Sequence, residues 1–368
     1  MSRIKVLYHF SGTGVLTGSP GALLRMIDSL DRDRFAPAFI GPGSGPLVEE
    51  LRKRGAELSA SDVTSVSWSR PWILITQVRE KRALLANLRP DIVHMNEPGW
   101  NSDLVLAART MGIPVALHLH NPETVSPRNL NYAVASKVFL CSAGQIETIV
   151  NVERIRKKLV VLHNAVDVHS FASGRSIRGE IGLADTDIVI GTVAQIGHRK
   201  GIDLFLDAAQ QLLDSGRQLK FLIAGPPATN EEAYFRAMTE RMLQGRLKDS
   251  VIYLGGRKDI PDVLASLDVF FLPTRAEPFG MVIIEAMAAG VPVVATHVGG
   301  IPEIITGSDI GKTVRNPSAE SFASAIGELA DMGANRKALG ERGRISLTGR
   351  FDLAAMRNTL QTIYRQIS

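Results

Sequence analysis

The sequence holds one cysteine, Cys141, in 368 residues, which excludes an internal disulfide and fits a reducing compartment. A lone thiol of this kind reads as a small buried hydrophobe. Nothing approaches the roughly 18 uninterrupted apolar residues of a membrane span. The first dozen residues, MSRIKVLYHFSG, contain too short an apolar run for a signal peptide and no small-residue cleavage site. They read instead as a buried strand running into a glycine turn, and the cytoplasm is the expected location. Aromatic–basic interleaving and zinc-knuckle spacing are also missing, which argues against nucleic acid as a partner. No cluster with metal-ligand spacing stands out, so no metal and no other cofactor is expected. The formal charge of +5 is a mild excess. Its two basic runs, Arg79–Arg82 and Glu153–Lys158, each include a glutamate and read as solvated helix faces. The functional reading of those runs is attraction to an anionic acceptor or to the inner face of a membrane, as a peripheral contact.

What is present is ordinary globular composition in a chain longer than one core usually accommodates, so two packed domains are expected. Short apolar runs alternate with helical patterns. Candidate strands in the first half are 5–9, 36–40, 92–95, 115–119, 138–141 and 159–162. In the second half they are 189–194, 220–224, 251–254, 269–272 and 293–295. Helices are predicted over 21–30 and 100–111, among others. Continuous apolar strands separated by helices indicate parallel sheets covered on both faces. The break is placed where glycine, serine and charge replace periodicity, Phe171–Gly182. That gives two doubly wound, Rossmann-like domains, 1–172 and 173–351, with an amphipathic C-terminal helix over 352–368 able to pack back on the first. Ligands of such sheets lie beyond the carboxyl ends of the strands, so facing domains would form a cleft there.

The strongest constellation is Pro273–Ala295, PTRAEPFGMVIIEAMAAGVPVVA. A strand ends, a loop carries Glu277-Pro-Phe-Gly280, and a helix runs from about Met281 to Ala289, with Gly290 closing it and Pro292 opening the next strand. That helix is apolar around its circumference except for Glu285, and a helix of this kind is buried. A buried carboxylate requires a partner. A neighbouring loop or an arginine would supply one; so would the hydroxyls of a ligand, since ionised carboxylates only accept. The free N–H groups near Phe279, Gly280, Met281 and Val282 offer an anion site. Hydroxyl acceptors beside a phosphate site describe a nucleotide sugar.

Glu277-x7-Glu285, within about nineteen consecutive residues, resembles the signature of the retaining glycosyltransferases of family 4, the group 1 glycosyltransferases of GT-B fold. The resemblance implies a retaining, metal-independent hexosyltransferase with a nucleoside-diphosphate sugar as donor. By it Glu285 contacts the donor ribose and Glu277 a hydroxyl of the donor sugar. A strand–glycine–basic loop, Gln195-Ile-Gly-His-Arg199-Lys200-Gly201, is built to meet phosphate, and Lys200 matches the family lysine. Gln195 stands where the family carries arginine, and Arg199 is the candidate replacement. Gly18 aligns best with the glycine that lets backbone approach the donor phosphate, Gly14 next. His120, in HLHN, matches the family histidine near the reacting sugar. His94 and Asn96 are candidate acceptor contacts. Arg257 belongs to a loop resembling the one that meets the nucleotide base, and Ala224–Pro226 resembles another donor loop. His163-Asn-Ala-Val-Asp167 resembles a structural turn of the family, with Ala165 for the usual glycine.

No carboxylate is left over for double displacement, because Glu277 and Glu285 already bind. The resemblance implies reaction on one face of the sugar, with the leaving phosphate drawing the acceptor proton. The acceptor itself (glycan, glycolipid or small molecule) is not specified, and the WSRPW stretch at 68–72 is a candidate surface for it or for a membrane. Two rival functions share the architecture: a non-catalytic nucleotide-sugar-binding protein, favoured by Gln195, and an epimerase.

Overall fold

A computed structural model describes residues 3–12, 18–61, 71–97, 99, 101–121 and 129–368. Gly14 and residues 68–70 of the WSRPW stretch lie outside these. Thirteen strands run through the described chain: β1 Ile4–His9, β2 Phe35–Gly41, β3 Glu57–Ala60, β4 Ile92–Met95, β5 Val115–Leu119, β6 Lys137–Leu140, β7 Leu159–Val161, β8 Val189–Val193, β9 Lys220–Ala224, β10 Val251–Tyr253, β11 Val269–Leu272, β12 Val293–Thr296 and β13 Lys312–Val314. All pairings between them are parallel.

β1–β7 form one sheet in the order β3-β2-β1-β4-β5-β6-β7, and β8–β13 a second in the order β10-β9-β8-β11-β12-β13. Both are doubly wound. Each reverses direction once, between β1 and β4 in the first and between β8 and β11 in the second. A crevice opens at such a reversal, outside the carboxyl ends of the two strands. The central strands β4, β5, β11 and β12 are buried along their length, as continuous apolar sequence requires when helices cover both faces.

Two strands have no counterpart in the sequence reading. β3 (ELSA) and β13 (KTV) are short edge strands with partly exposed residues, so neither carries an apolar run to announce it.

The chain divides into two compact units, Met1–Ala165 with Leu353–Ser368, and Val166–Asp352. This division falls somewhat before the break placed by composition. Asp167 explains the difference: its side chain caps the helix Val168–Ala172 by accepting from the N–H groups of His169 and Ser170, and that helix packs within the second unit. The C-terminal helix Leu353–Ile367 packs on the first unit through Met356, Leu360 and Tyr364, spaced four apart on one face.

Two readings of charge are corrected. Lys81, in the helix Pro71–Leu88, is 8% exposed and faces the Ser61 hydroxyl and, at 4.0 Å, the Asp103 carboxylate; the 79–82 run is therefore not a uniformly solvated face. Residues 153–158 form two short 3-10 turns, with Arg156 gripping Glu153 in two-pronged fashion, rather than a helix face. Cys141 is buried, its thiol donating to Gln145 Oε1 at 3.1 Å. Among the described residues no helix is long and apolar enough to cross a membrane.

Candidate functional site

The second unit brings its two chemistry-bearing loops together at the β8/β11 reversal. One loop follows β8 and carries Gln195 to Gly201; the other follows β11 and carries Pro273 to Gly280. Between them Lys200 Nζ donates to Glu277 Oε2 at 2.6 Å, although 77 residues separate the two in sequence. The pair is largely enclosed, with side chains 15% and 11% exposed.

Backbone contacts fix that meeting. The Arg275 N–H donates to the Arg199 carbonyl at 2.8 Å, and the buried Thr274 hydroxyl lies 3.1 Å from both the Arg199 and Ala276 carbonyls. The Arg275 guanidinium donates to the His198 carbonyl at 2.7 Å and to both oxygens of Asp203. Burial raises the Asp203 pKa, but hydrogen bonds from Arg275 and Tyr234 outweigh it and hold the carboxyl down at about 2. Thr274 and Arg275 thus staple one loop to the other, a role the sequence reading did not assign. Arg199 Nη1 donates to the Ala276 carbonyl at 3.2 Å, so its charge lies on the Glu277 loop. Gln195 is exposed.

Two glycines permit the close backbone approaches. Gly201 has φ +71°, and a Cβ there would lie 2.0 Å from the Pro273 carbonyl oxygen. Gly299 has φ +56°, and its Cβ would lie 1.9 Å from the carbonyl oxygen of Glu277, which also accepts from the Gly300 N–H at 3.1 Å. Gly299→Ala is therefore expected to displace the Glu277 loop. The left-handed backbone alone costs about 1–2 kcal/mol for a residue with a Cβ. A fall in Tm of about 5 °C, with a roughly tenfold weaker Kd for a nucleoside diphosphate, would be read by thermal unfolding and calorimetry; unchanged values for both would show that the loop tolerates the methyl.

Beyond the loop, Gly280 precedes the helix Met281–Ala288, which has no side-chain cap and no acidic residue in its first turn. No N-cap side chain and no first-turn carboxylate of this helix covers its positive end, at the N–H groups of Met281 and Val282. Phe279 is buried, its ring edge-on to that of Phe351 with centroids 5.5 Å apart. Glu285 is half-buried one turn into the helix.

Arg257 follows β10, at the sheet edge two strands from β8, and its Nε donates to Asp259 at 2.8 Å. The Ala224–Pro226 loop does adjoin the site: the Gly225 N–H donates to the Gly255 carbonyl at 2.7 Å, and the Ile196 N–H to Pro226 at 2.9 Å.

In the first unit, Asn96 follows β4 and donates from Nδ2 to the Ser19 carbonyl at 3.4 Å, which ties the strand to the start of the helix Ser19–Ser29. Gly18 precedes that helix with φ +65°, and among the described residues nothing lies within 4 Å of where its Cβ would be. His120 follows β5, its ring 3.9 Å from that of His118, and burial lowers its pKa to about 4, so it is neutral at pH 7. The acceptor role expected for His94 is corrected. His94 is fully buried, bonded to Tyr364 and His118 and stacked on Phe139, so it presents nothing to a ligand here.

The sequence also contains two Asp-x-Asp triplets, Asp31–Asp33 and Asp185–Asp187. Both serve local turns: Asp31 Oδ1 accepts from the Asp33 N–H at 3.0 Å, and Asp187 Oδ2 from the Ala184 N–H at 2.8 Å. Among the described residues no group of three His, Cys, Asp or Glu side chains is disposed to hold a metal ion.

Comparison with known proteins supplies the family context. The sequence profile of glycosyl transferases group 1 matches residues 174–346, and that of glycosyltransferase family 4 matches residues 22–170. A lipopolysaccharide core biosynthesis mannosyltransferase of Rhizobium meliloti is 29% identical over 189 residues, 51% of this chain and 54% of that protein. A D-inositol 3-phosphate glycosyltransferase of Mycobacteroides abscessus is 29% identical over 255 residues, 63% of this chain and 56% of that protein. The chain thus spans about half the length of these curated relatives. Among solved structures, a Rickettsia africae glycosyltransferase superposes with TM-score 0.86 at 19% identity, covering 100% of this chain and 99% of that one. Anabaena HepE, solved with UDP and glucose, superposes with TM-score 0.81 at 20% identity, covering 99% and 100%. These likenesses give the fold, GT-B.

Proposed function

The chain belongs to the group 1 glycosyltransferases, and from that premise we propose that it is a metal-independent, retaining glycosyltransferase acting on a nucleoside-diphosphate sugar. The observation that carries the proposal is the Lys200–Glu277 pair at the β8/β11 reversal, beside a helix whose positive end is uncapped. That arrangement offers a diphosphate two kinds of positive charge, an ammonium and a row of N–H dipoles. It offers the sugar a carboxylate acceptor, Glu277, and the ribose a second, Glu285. Arg199 adds a cation from the adjoining loop in place of the arginine that Gln195 replaces.

Chemistry at such a site is mainly positioning and stabilisation of the leaving group. The bond between the anomeric carbon and the diphosphate oxygen breaks as the acceptor oxygen bonds that carbon on the same face. The acceptor proton passes to the departing phosphate oxygen. Lys200, Arg199 and the helix terminus balance the charge developing on the diphosphate, and no metal is needed in this scheme. The family resemblance makes His120, neutral at pH 7, a candidate hydrogen-bonding ring for the reaction. The acceptor is assigned only as a hydroxyl-bearing glycan, glycolipid or small molecule. Relatives whose names specify lipopolysaccharide core biosynthesis and D-inositol 3-phosphate support that class.

Two measurements test the proposal. Thermal-shift screening against uridine, guanosine and adenosine diphosphate sugars identifies the donor as the compound that raises Tm. NMR coupling constants at the anomeric proton of the product then give its configuration, which retention requires to match the donor. Inversion would overturn the one-face scheme. One observation, Gln195 in an exposed position, favours a second reading, a donor-binding protein without turnover; hydrolysis of bound donor that declines in Lys200→Ala would eliminate it.

A further inference from the structure

A second ion pair ties the segment after β8 to the loop after β11, in the opposite sense to Lys200–Glu277. In the inner pair the cation, Lys200, comes from the first segment and the carboxylate, Glu277, from the second. In the outer pair the carboxylate is Asp203, in the first turn of the helix Ile202–Asp214, and the cation is Arg275. Asp203 follows Lys200 by three residues and Arg275 precedes Glu277 by two, so the pairs are successive rungs between the same segments. The outer rung is two-pronged. Arg275 Nη1 and Nη2 donate to the two oxygens of Asp203 at 2.9 and 2.5 Å, and Nη1 donates also to the His198 carbonyl at 2.7 Å. Its side chains are 32% and 27% exposed, against 15% and 11% for the inner rung.

A neighbouring helix braces the outer rung from behind. The Tyr234 hydroxyl accepts from the Asp203 N–H at 3.0 Å and donates to Asp203 Oδ1 at 2.8 Å. Tyr234 belongs to the helix Glu232–Met242, and Glu231, just before that helix, accepts from the His198 N–H at 2.6 Å. At the other end Arg241 Nη2 donates to Asp207 Oδ1 at 2.5 Å, which fastens the brace to the helix Ile202–Asp214. The two rungs differ in what a ligand does to them. On the glycosyltransferase reading, the donor draws Lys200 onto a phosphate oxygen and offers a sugar hydroxyl to Glu277, so the inner rung loosens as the donor arrives. The outer rung makes no such exchange, because the charge of Arg275 is already matched by a two-pronged carboxylate. The segments then keep their spacing through the outer rung and the bond from the Arg275 N–H to the Arg199 carbonyl.

We propose that Asp203, Arg275 and Tyr234 are positioning residues, a latch that holds the two donor segments at fixed separation while Lys200 and Glu277 release each other to take the donor. The proposal deepens the donor-site reading and rests on it. The test is calorimetric titration of uridine, guanosine and adenosine diphosphates into Asp203→Asn, Arg275→Ala and the double variant, with Tm measured for each free protein. The nucleoside diphosphate that the wild type binds should bind each single variant about tenfold more weakly. The double variant should bind it no more weakly than either single one, since both changes open one latch. The free proteins should lose less than about 5 °C in Tm, because the inner rung still joins the segments. Arg275→Lys keeps the charge without the two-pronged grip and should fall between wild type and Arg275→Ala. Tyr234→Phe, which leaves the ion pair in place, should weaken binding about threefold. Lowered Tm with unchanged affinity would make the trio a structural brace only and overturn the proposal. Tighter binding in Asp203→Asn would overturn it too, since the released guanidinium would then be meeting the diphosphate itself. A wild type that binds none of the three diphosphates would overturn the donor reading and the latch together, whereas wild-type affinity in both single variants would defeat the latch alone.

Discussion

Lys200→Ala is expected to reduce kcat for sugar transfer by about 10²–10³-fold, the loss typical of one preorganised charge-stabilising donor. The departing diphosphate gains negative charge as its bond to the sugar breaks, and Lys200 stands beside Glu277 where that charge is proposed to form. Removal also leaves Glu277, 11% exposed, without its cation, so the sugar-binding carboxylate loses its fixed position. Lys200→Arg should retain part of the activity, because charge is kept while the point-like ammonium is lost. Arg199→Ala should cost less, about tenfold, since its guanidinium approaches the site through the Ala276 carbonyl. Steady-state kinetics with the identified donor decide the matter. Full turnover in Lys200→Ala would remove the lysine from the mechanism, and undiminished turnover in Arg199→Ala would end the argument that it replaces an arginine at Gln195.

The first unit is expected to lose stability steeply in mild acid. Burial, together with repulsion from Lys81, lowers the His9 pKa to about 3, and burial, with a smaller contribution from His120, lowers that of His94 to about 3. In the unfolded chain both titrate near the ordinary value of about 6.5. Below that value the unfolded state binds protons that the folded state refuses, so stability is complete above pH 6.5 and falls as pH drops toward 3. Between pH 7 and pH 5 each of these two histidines removes about 2 kcal/mol, or about 4 kcal/mol for the pair. His118 and His120 act in the same direction. Carboxylates, whose unfolded values lie near 4, scarcely titrate in this window. A fall in Tm of about 10 °C for the first unit from pH 7 to pH 5 is the expected result. A flat profile would mean that the histidines have access to water or to a counter-charge.

Much of this could be read from the sequence because its signals were local. Continuous apolar runs gave the central strands of both sheets, and the helix after Glu277 starts at Met281 as expected. What escaped depended on long-range pairing. β3 and β13 lie at sheet edges and lack the apolar runs that burial on both faces imposes. Lys81 sits in a charged run, yet its amine turns toward Ser61 and Asp103, partners supplied by other elements. His94 occupies the end of a strand, where ligands are expected, but its parity places it on the face that the C-terminal helix covers. Arg275 lies inside the most informative stretch of the sequence, and its task became visible only when Asp203 and the His198 carbonyl arrived from the other loop. The Lys200–Glu277 contact is the same case in favour: two motifs with separate rationales, joined at the place where the sheet reverses.

The most direct measurement is a crystal structure with a nucleoside diphosphate bound. The diphosphate should rest against the Met281 and Val282 N–H groups with Lys200 drawn onto a phosphate oxygen, each contact about 3 Å. A diphosphate bound elsewhere, with Lys200 still closed on Glu277 and the helix terminus vacant, would contradict the account.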